Sequence, residues 1–205
     1  MISPRIRRLK LDYEILQRRF ANWPTIQITG TAGIPPEMYR FTYNLRGLWV
    51  SPSGEIRERD IHVLEVNLSL GYPRRAPQCR MLTSVFHPNF DDASVCIGDF
   101  WAASEGLDDL IVRIGRMISY QEYNTKSPLN GLAAKWAAQN THLLPIDSRN
   151  IAPPSVTVEP IAAQAAAAAP TPAAAPQAPA PPPPTPGESV SPDPSDPWSQ
   201  KISIS

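Results

Sequence analysis

Apolar residues at spacings of three and four open the chain. Ile6, Leu9, Tyr13, Leu16 and Phe20 fall on one stripe, the signature of an amphipathic helix with one face against a core. Ser3 is a capping side chain, Pro4 suits the first helical position, and Trp23 and Pro24 predict the end. The period then drops to two. Tyr39, Phe41, Tyr43 and Leu45 alternate with Arg40, Thr42, Asn44 and Arg46, as in a half-buried strand. Leu64, Val66, Leu68 and Leu70 alternate with Glu65, Asn67 and Ser69 in a second. Turn chemistry at SPSGE (51–55) lies between them. GYPRRAP (71–77) breaks the chain before a short third strand in QCRMLTS (78–84).

From Phe86 to about Gly106 no period holds, and irregular stretches this long inside a compact domain are usually functional. Helical spacing returns with Leu107, Leu110, Ile111, Ile114, Met117 and Ile118. Asp108 and Asp109 stand in the first turn, where the helix dipole favours them. SPLNGLAAKWAAQN (127–140) predicts a last helix with Asn130 as its cap and Leu132 and Trp136 four apart. Strands in series without intervening helices predict an antiparallel meander. The expected class is α+β: an N-terminal helix, a meander of about four strands, an active-site loop, then C-terminal helices.

Composition adds a boundary. Sixteen of the 25 prolines lie at or beyond Pro145, and from Pro160 large apolar residues almost vanish. Such a segment buries too little surface to offset the entropy of ordering it. The expectation is a folded domain over residues 1–145 and a Pro/Ala-rich disordered tail over 146–205. The tail would serve as a tether, spacer or docking segment. Its end, DPWSQKISIS, carries Trp198 and alternating apolar residues that could extend a partner's sheet.

Net charge is zero, which advertises neither nucleic acid nor an acidic partner. Two cysteines are too few for a disulfide framework or a thiolate-rich zinc site. No apolar stretch is long enough to span a bilayer, and the N-terminus lacks the apolar core of a signal peptide. A soluble, cytoplasmic protein of a reducing compartment is expected. No internal repeat, Gly-rich phosphate loop, CxxC pair or HExxH helix is present. Charge is arranged locally: Arg5, Arg7, Arg8, Lys10, Arg18 and Arg19 face only Asp12 and Glu14 in the first 20 residues.

The candidate chemistry lies in FHPNFDDASVCIGDFW (86–101), where a His-Pro-Asn turn precedes Cys96. Here the chain resembles the ubiquitin-conjugating (E2) enzymes. GYPRRAP is similar to that family's YPxxPP segment, FHPN to its HPN motif, VCIGDFW to its cysteine segment and SPLN to its PLN segment. The four stand in family order, and the likeness covers residues 3–142. It departs after the cysteine. Ile97 and Gly98 come before the acid, Asp99. Trp101 and AASEGLDD replace the family's Trp-Ser-Pro segment. Ser127 stands where an Asp or Ser precedes Pro-Leu. The chain thus resembles a divergent member, of the kind a bacterial ubiquitin-like pathway would carry.

The resemblance implies a UBC-like fold and a carrier. Cys96 would take a ubiquitin-like protein as a thioester from an E1-like activating enzyme and pass it to an amine, with or without a ligase. Neither metal nor organic cofactor is implied. Thiolate is the attacking form of cysteine. Asp91, Asp92 and Asp99 give Cys96 an acidic setting, the opposite of one that sharpens a hydrolytic thiol, so a relay is the better description. Asn89 would donate to the oxyanion or brace the loop that does. Pro88 fixes its own φ, and His87 would be structural rather than a general base. A lysine, protonated at neutral pH with a pKa near ~10.4, needs help; Asp99 and Ser127 are the candidates. The basic N-terminal helix would dock the activating enzyme.

Other readings remain open on residues alone. Cys79, at a strand position, is expected in the core, and His62 and His142 at the surface or as caps. Phe86, Phe90 and Trp101 would meet a ligase or pack beneath the loop. A non-catalytic UBC-fold binding module for ubiquitin-like proteins is the main alternative, although Cys96 argues against it. A Cys-His hydrolase built on Cys96 and His87 lacks a recognisable orienting group.

Overall fold

The first helix, α1, spans Pro4–Phe20, and its start is fixed as the sequence predicts. The Ser3 hydroxyl oxygen accepts the Ile6 N–H at 3.2 Å, and Pro4 sits where no amide hydrogen is needed. Leu9, Leu16 and Phe20 are buried and Ile6 is half-buried, but Tyr13 is exposed and Asp12 takes its place inside. Asp12 enters already partnered, by Arg8 at 2.9 Å and the Tyr72 hydroxyl at 2.6 Å, which is the condition for burying a polar group. Burial pushes its carboxyl pKa up, against the opposing pull of Tyr72 and Arg8. This is a computed structural model, and it describes residues 2–92, 94–97 and 101–153.

Four antiparallel strands follow in sheet order β1-β2-β3-β4: β1 (Ile26–Gly33), β2 (Pro36–Val50), β3 (Ile56–Asn67) and β4 (Gln78–Met81). The sequence names three of them. β1 leaves no alternation to read, because only Ile26 is buried. The strand expected to reach Leu70 stops at Asn67, and Leu70 is 85% exposed. Tyr39, Phe41, Tyr43 and Leu45 of β2 and Leu64 and Val66 of β3 face inward as expected.

A bulge between Asn44 and Gly47 shifts the β2 register and carries Leu48 inward, as an extra residue does. Gly47 is needed there: a Cβ would lie 2.8 Å from His62 Nε2 and 2.9 Å from the Ile118 carbonyl oxygen. His62 is therefore not the surface residue expected but fully buried, with Nε2 donating to the Arg59 carbonyl at 3.0 Å. Burial holds its pKa down at about 4.

The helix α2 (Leu107–Ile118) lies across the inner face and touches both β2 and α1. All six apolar residues predicted for its stripe are buried. The Tyr43 hydroxyl donates to the Ile111 carbonyl at 2.9 Å inside this core. Asp108 and Asp109 do more than meet a dipole, since both pair with Arg19 of α1. The helix α3 (Gly131–Gln139) is capped by Asn130, whose Oδ1 accepts the Ala133 N–H at 3.0 Å. It packs through Ala133, Ala134 and Ala137, while Leu132 points to solvent. Alanine lets the helix approach closely, so its buried face is not the one its largest side chain suggests. Ala137 closes a second cluster with Leu48 and Tyr120, against which Phe86 and Trp136 pack.

The packed chain runs past the boundary expected at 145. Ile151 is buried, and its carbonyl accepts the Trp23 Nε1–H at 2.9 Å. Gly115 makes room for it, since a Cβ there would stand 3.0 Å from Ile151 Cγ2. The rest of the expected tail, 154–205, lies outside the described residues.

Candidate active site

The His-Pro-Asn turn is built from its surroundings inward. Phe86 N–H donates to the Leu48 carbonyl at 2.7 Å, which hooks the turn onto the end of β2. The Tyr120 hydroxyl donates to the Phe86 carbonyl at 2.6 Å. Tyr120 follows α2 in a left-handed conformation, φ 56°, which costs a non-glycine residue roughly 1–2 kcal/mol. Its buried ring and its hydroxyl bond hold it there. His87 is fully buried, edge-on to Phe90 at 5.0 Å and to Tyr120 at 4.5 Å.

The Asn89 N–H donates to His87 Nδ1 at 3.0 Å. Nδ1 is thus an acceptor, and the neutral ring carries its proton on Nε2. Nε2 has no partner of good geometry among the described residues. Burial pushes the His87 pKa down to about 3, only partly offset by the Glu122 backbone. A ring held neutral and walled in by aromatics cannot reach a proton on an incoming group.

Asn89 is held at three points. Its N–H is bound by His87, its carbonyl accepts the Cys96 N–H at 2.8 Å, and its Oδ1 accepts the Asn124 N–H at 3.0 Å. The last bond fixes the amide orientation and leaves Nδ2 as its donor end. The Pro88 carbonyl accepts two more amides, from Leu129 at 2.8 Å and Asn130 at 2.9 Å. The SPLN segment therefore closes onto the HPN turn, although the two are far apart in sequence.

Between turn and cysteine, Phe90 and Val95 form an antiparallel bridge. Asp91 Oδ1 accepts the Ser94 N–H at 2.6 Å, and Val95 N–H donates to the Cys79 carbonyl of β4 at 3.0 Å. The loop thus ends with Cys96 half-buried, whereas Cys79 is only 6% exposed. Burial pushes the Cys79 thiol pKa up to about 12. Of the two cysteines, Cys96 is the less buried.

Sequence reasoning missed the groups on the far side of Cys96. The Arg113 guanidinium of α2 donates to the Ile97 carbonyl at 2.8 Å and pairs with Glu105 at 3.1 Å. Arg8 of α1 donates to the carbonyls of Ala103 and Glu105. Trp101 Nε1–H donates to the Pro73 carbonyl at 2.6 Å, and its ring lies against Tyr72. No local pattern marks these residues. Trp101 and Phe86 are half-buried and Phe90 is buried, all three engaged in packing.

Of the two candidates for steering an amine, one falls among the described residues. Ser127 is exposed, its N–H 3.4 Å from Asn124 Oδ1. Asp99 lies outside the described residues. The basic face of α1 is also smaller than its sequence suggests. Arg5 pairs with Glu37, Arg8 with Asp12 and Arg19 with Asp108 and Asp109, while Arg7 and Lys10 remain exposed and unpaired among the described residues. No described helix is long and apolar enough to cross a membrane, and no group of three metal-ligating side chains gathers among the described residues.

Comparison with known proteins agrees with this geometry. A family model described as "Ubiquitin-conjugating enzyme" matches residues 16–144. The curated protein "Ubiquitin-conjugating enzyme E2 1" of Caenorhabditis elegans is 26% identical over 144 residues, spanning 68% of this chain and 69% of its own length.

Proposed function

The chain belongs to the ubiquitin-conjugating enzyme family, and from that premise we propose that Cys96 carries ubiquitin or a ubiquitin-like protein as a thioester. An activating enzyme would deliver it, and an amine, with lysine foremost, would receive it. The observation that carries this reading is the half-buried Cys96, bonded through its N–H to an asparagine that is clamped at three points. In the transfer step the thioester carbonyl oxygen gains charge as the amine attacks. Asn89 Nδ2, left as the donor end of the amide by the Asn124 bond, would meet it. The buried His87 ring, which accepts the Asn89 N–H, would keep that donor from relaxing.

Arg7 and Lys10 are the part of α1 left to steer an acidic face of the activating enzyme. Ser127, which is exposed, would orient the acceptor rather than deprotonate it.

A direct test charges the full chain with ubiquitin, its activating enzyme and ATP, and reads gels with and without reductant. A reductant-sensitive adduct is expected in the parent and in Cys79→Ala, and none in Cys96→Ala. Cys96→Ser should give a reductant-stable ester. An adduct that survives Cys96→Ala would overturn the assignment.

A further inference from the structure

β1 is an outer strand of the sheet, and no strand covers its far side among the described residues. Such an edge presents N–H and C=O groups ready to pair with another segment, and folded chains usually blunt it with charge, proline or a bulge. Ile26–Gly33, IQITGTAG, holds neither charge nor proline. Its pairing with β2 shifts between Ile28 and Gly30 and again between Ala32 and Gly33, and such irregularities disrupt further pairing from there on. The regular part before the first shift is left unprotected. A groove of about 550 Å³ runs beside it, lined by Gln17, Phe20, Trp23, Gln27, Ile28 and Thr29 among others. Trp23 and Ile28 are half-buried and apolar, while Gln27 and Thr29 are exposed and polar. A surface so mixed suits short apolar side chains on an otherwise polar segment.

The chain itself leads to this groove. The Ile151 carbonyl accepts the Trp23 Nε1–H at 2.9 Å, and Pro153 is buried. The last described residues are therefore tied to the tryptophan that lines the groove. Beyond Pro154 comes SVTVE, residues 155–159, and Pro160 closes the run. It lies outside the described residues. Valine and threonine favour strands, and proline marks where strands stop. Val156 and Val158 alternate with Ser155, Thr157 and Glu159, so an extended run has one apolar and one polar face. Five strand residues span about 17 Å, more than the regular part of β1 requires.

We propose that residues 155–159 add to the free edge of β1 as a fifth strand, with Val156 and Val158 turned onto Trp23 and Ile28. The chain would thus close its own sheet before the Pro/Ala-rich stretch begins. Main-chain hydrogen bonds to the edge give such a strand its hold, and the alternate side chains fix its register. The occupant is a segment of the same chain because it is tethered there: a run that starts two residues past Pro153 meets the edge at high effective concentration, ahead of any free partner. The inference is independent of the role of Cys96.

The test is amide hydrogen exchange on the full chain, read by mass spectrometry over a range of protein concentrations. The disrupting variant carries Val156→Asp and Val158→Asp together, and Val190→Asp is the control. In the parent, residues 155–159 and 26–29 should exchange about tenfold or more slowly than in the double variant, equally at every concentration. β2 and α2 should exchange alike in both, and Val190→Asp should match the parent. The proposal is overturned if 155–159 exchange as an unstructured chain does, or if 26–29 stay as slow in the double variant as in the parent. Protection that rises with protein concentration overturns it too, since a second copy would then cover the edge. So does loosening of β2 and α2 as large as that of 26–29, which would make the run part of the core rather than an added edge strand.

Discussion

Cys96 divides its loop into two halves that are held in opposite ways. The described residues before it, 86–92, 94 and 95, are fixed mainly by neutral groups, namely backbone amides and carbonyls, the His87 ring, the Asn89 amide and the Tyr120 hydroxyl, joined by the Asp91 carboxylate that accepts the Ser94 N–H. The described residues after it, Ile97 and 101–106, are fixed largely by guanidinium groups reaching in from α1 and α2. Neutral hydrogen bonds in a dry pocket resist salt and define one geometry. Charged clamps at a half-open surface are stronger singly but screened by ions. The first half is thus suited to hold the proposed chemistry steady. The second can accept changes of sequence wherever an arginine can still find a carbonyl.

The largest expected break in this contrast is Asn89→Ala. Losing an oxyanion donor slows transfer by about 100- to 1,000-fold, read as single-turnover discharge of purified Cys96 thioester to free lysine. Removing Oδ1 also orphans the Asn124 N–H, which costs about 1–3 kcal/mol and appears in denaturant unfolding. If discharge fell no further than the stability loss and loop disorder explain, Asn89 would be a brace alone. Asn89→Asp tests this: it can keep the bond from Asn124 but offers no donor, so stability should recover while discharge does not.

Acid is the next lever, because it acts on the neutral half. His87 and His62 have folded pKa values of about 3 and about 4, both lowered by burial. Between those values and the ordinary ~6.5 the unfolded chain binds more protons than the folded one. Stability from each histidine is therefore present above pH ~6.5 and lost as pH falls, by about 2 kcal/mol apiece at pH 5. Asp12, whose carboxyl pKa burial raises, works in the opposite sense and blunts the slope lower down. Urea midpoints from pH 7.5 to 5 should fall steadily, and less so in His87→Gln. A flat profile would mean these rings are not held neutral inside.

On the charged half, Arg113→Met should cost about 1.5–2 kcal/mol, the value of a hydrogen bond from a charged donor. Hydrogen exchange should accelerate over 97–106 and stay slow over 86–95. The gap between variant and parent should shrink in high salt. Equal loosening of both halves would show that they are one unit and that the contrast is false.

The same division explains what could be read from the chain beforehand. Cys96, Asn89 and His87 sit within ten residues of one another, and Asn89 is bonded directly to each of the other two. A short quoted stretch therefore carried both the fold likeness and the candidate site. Arg113, Arg8 and Asn124 act across 16, 95 and 35 residues, and nothing in their local patterns marks the partner. Hydrophobic period failed where burial had another cause. Asp12 is inside because Arg8 and Tyr72 satisfy it, His62 because Gly47 leaves it space. On α3 the buried face is made of alanines, which periodicity weighs less than Leu132. β1 has one buried residue and so no alternation.

The smallest effect expected is at Cys79, and it is informative for that reason. This residue supports the neutral half through its backbone, the carbonyl that accepts the Val95 N–H. Its sulfur is buried and its thiol pKa is pushed up to about 12, so at pH 8 almost none of it is thiolate, the reactive form. Alkylation of the folded chain should therefore modify one thiol, Cys96, and leave Cys79 intact until the protein unfolds. Cys79→Ala keeps the carbonyl and removes one sulfur atom from the core, a loss of about 1 kcal/mol. Charging of Cys96 should be unchanged within error. The parent's thiol also makes stability decline above pH ~8.5, where the unfolded cysteine ionises and the folded one does not, and Cys79→Ala should flatten that decline. If Cys79→Ala instead slowed charging as much as it lowered stability, β4 would be positioning Cys96 through side-chain packing. The neutral half would then depend on the sheet edge beneath it as well as on the His-Pro-Asn turn.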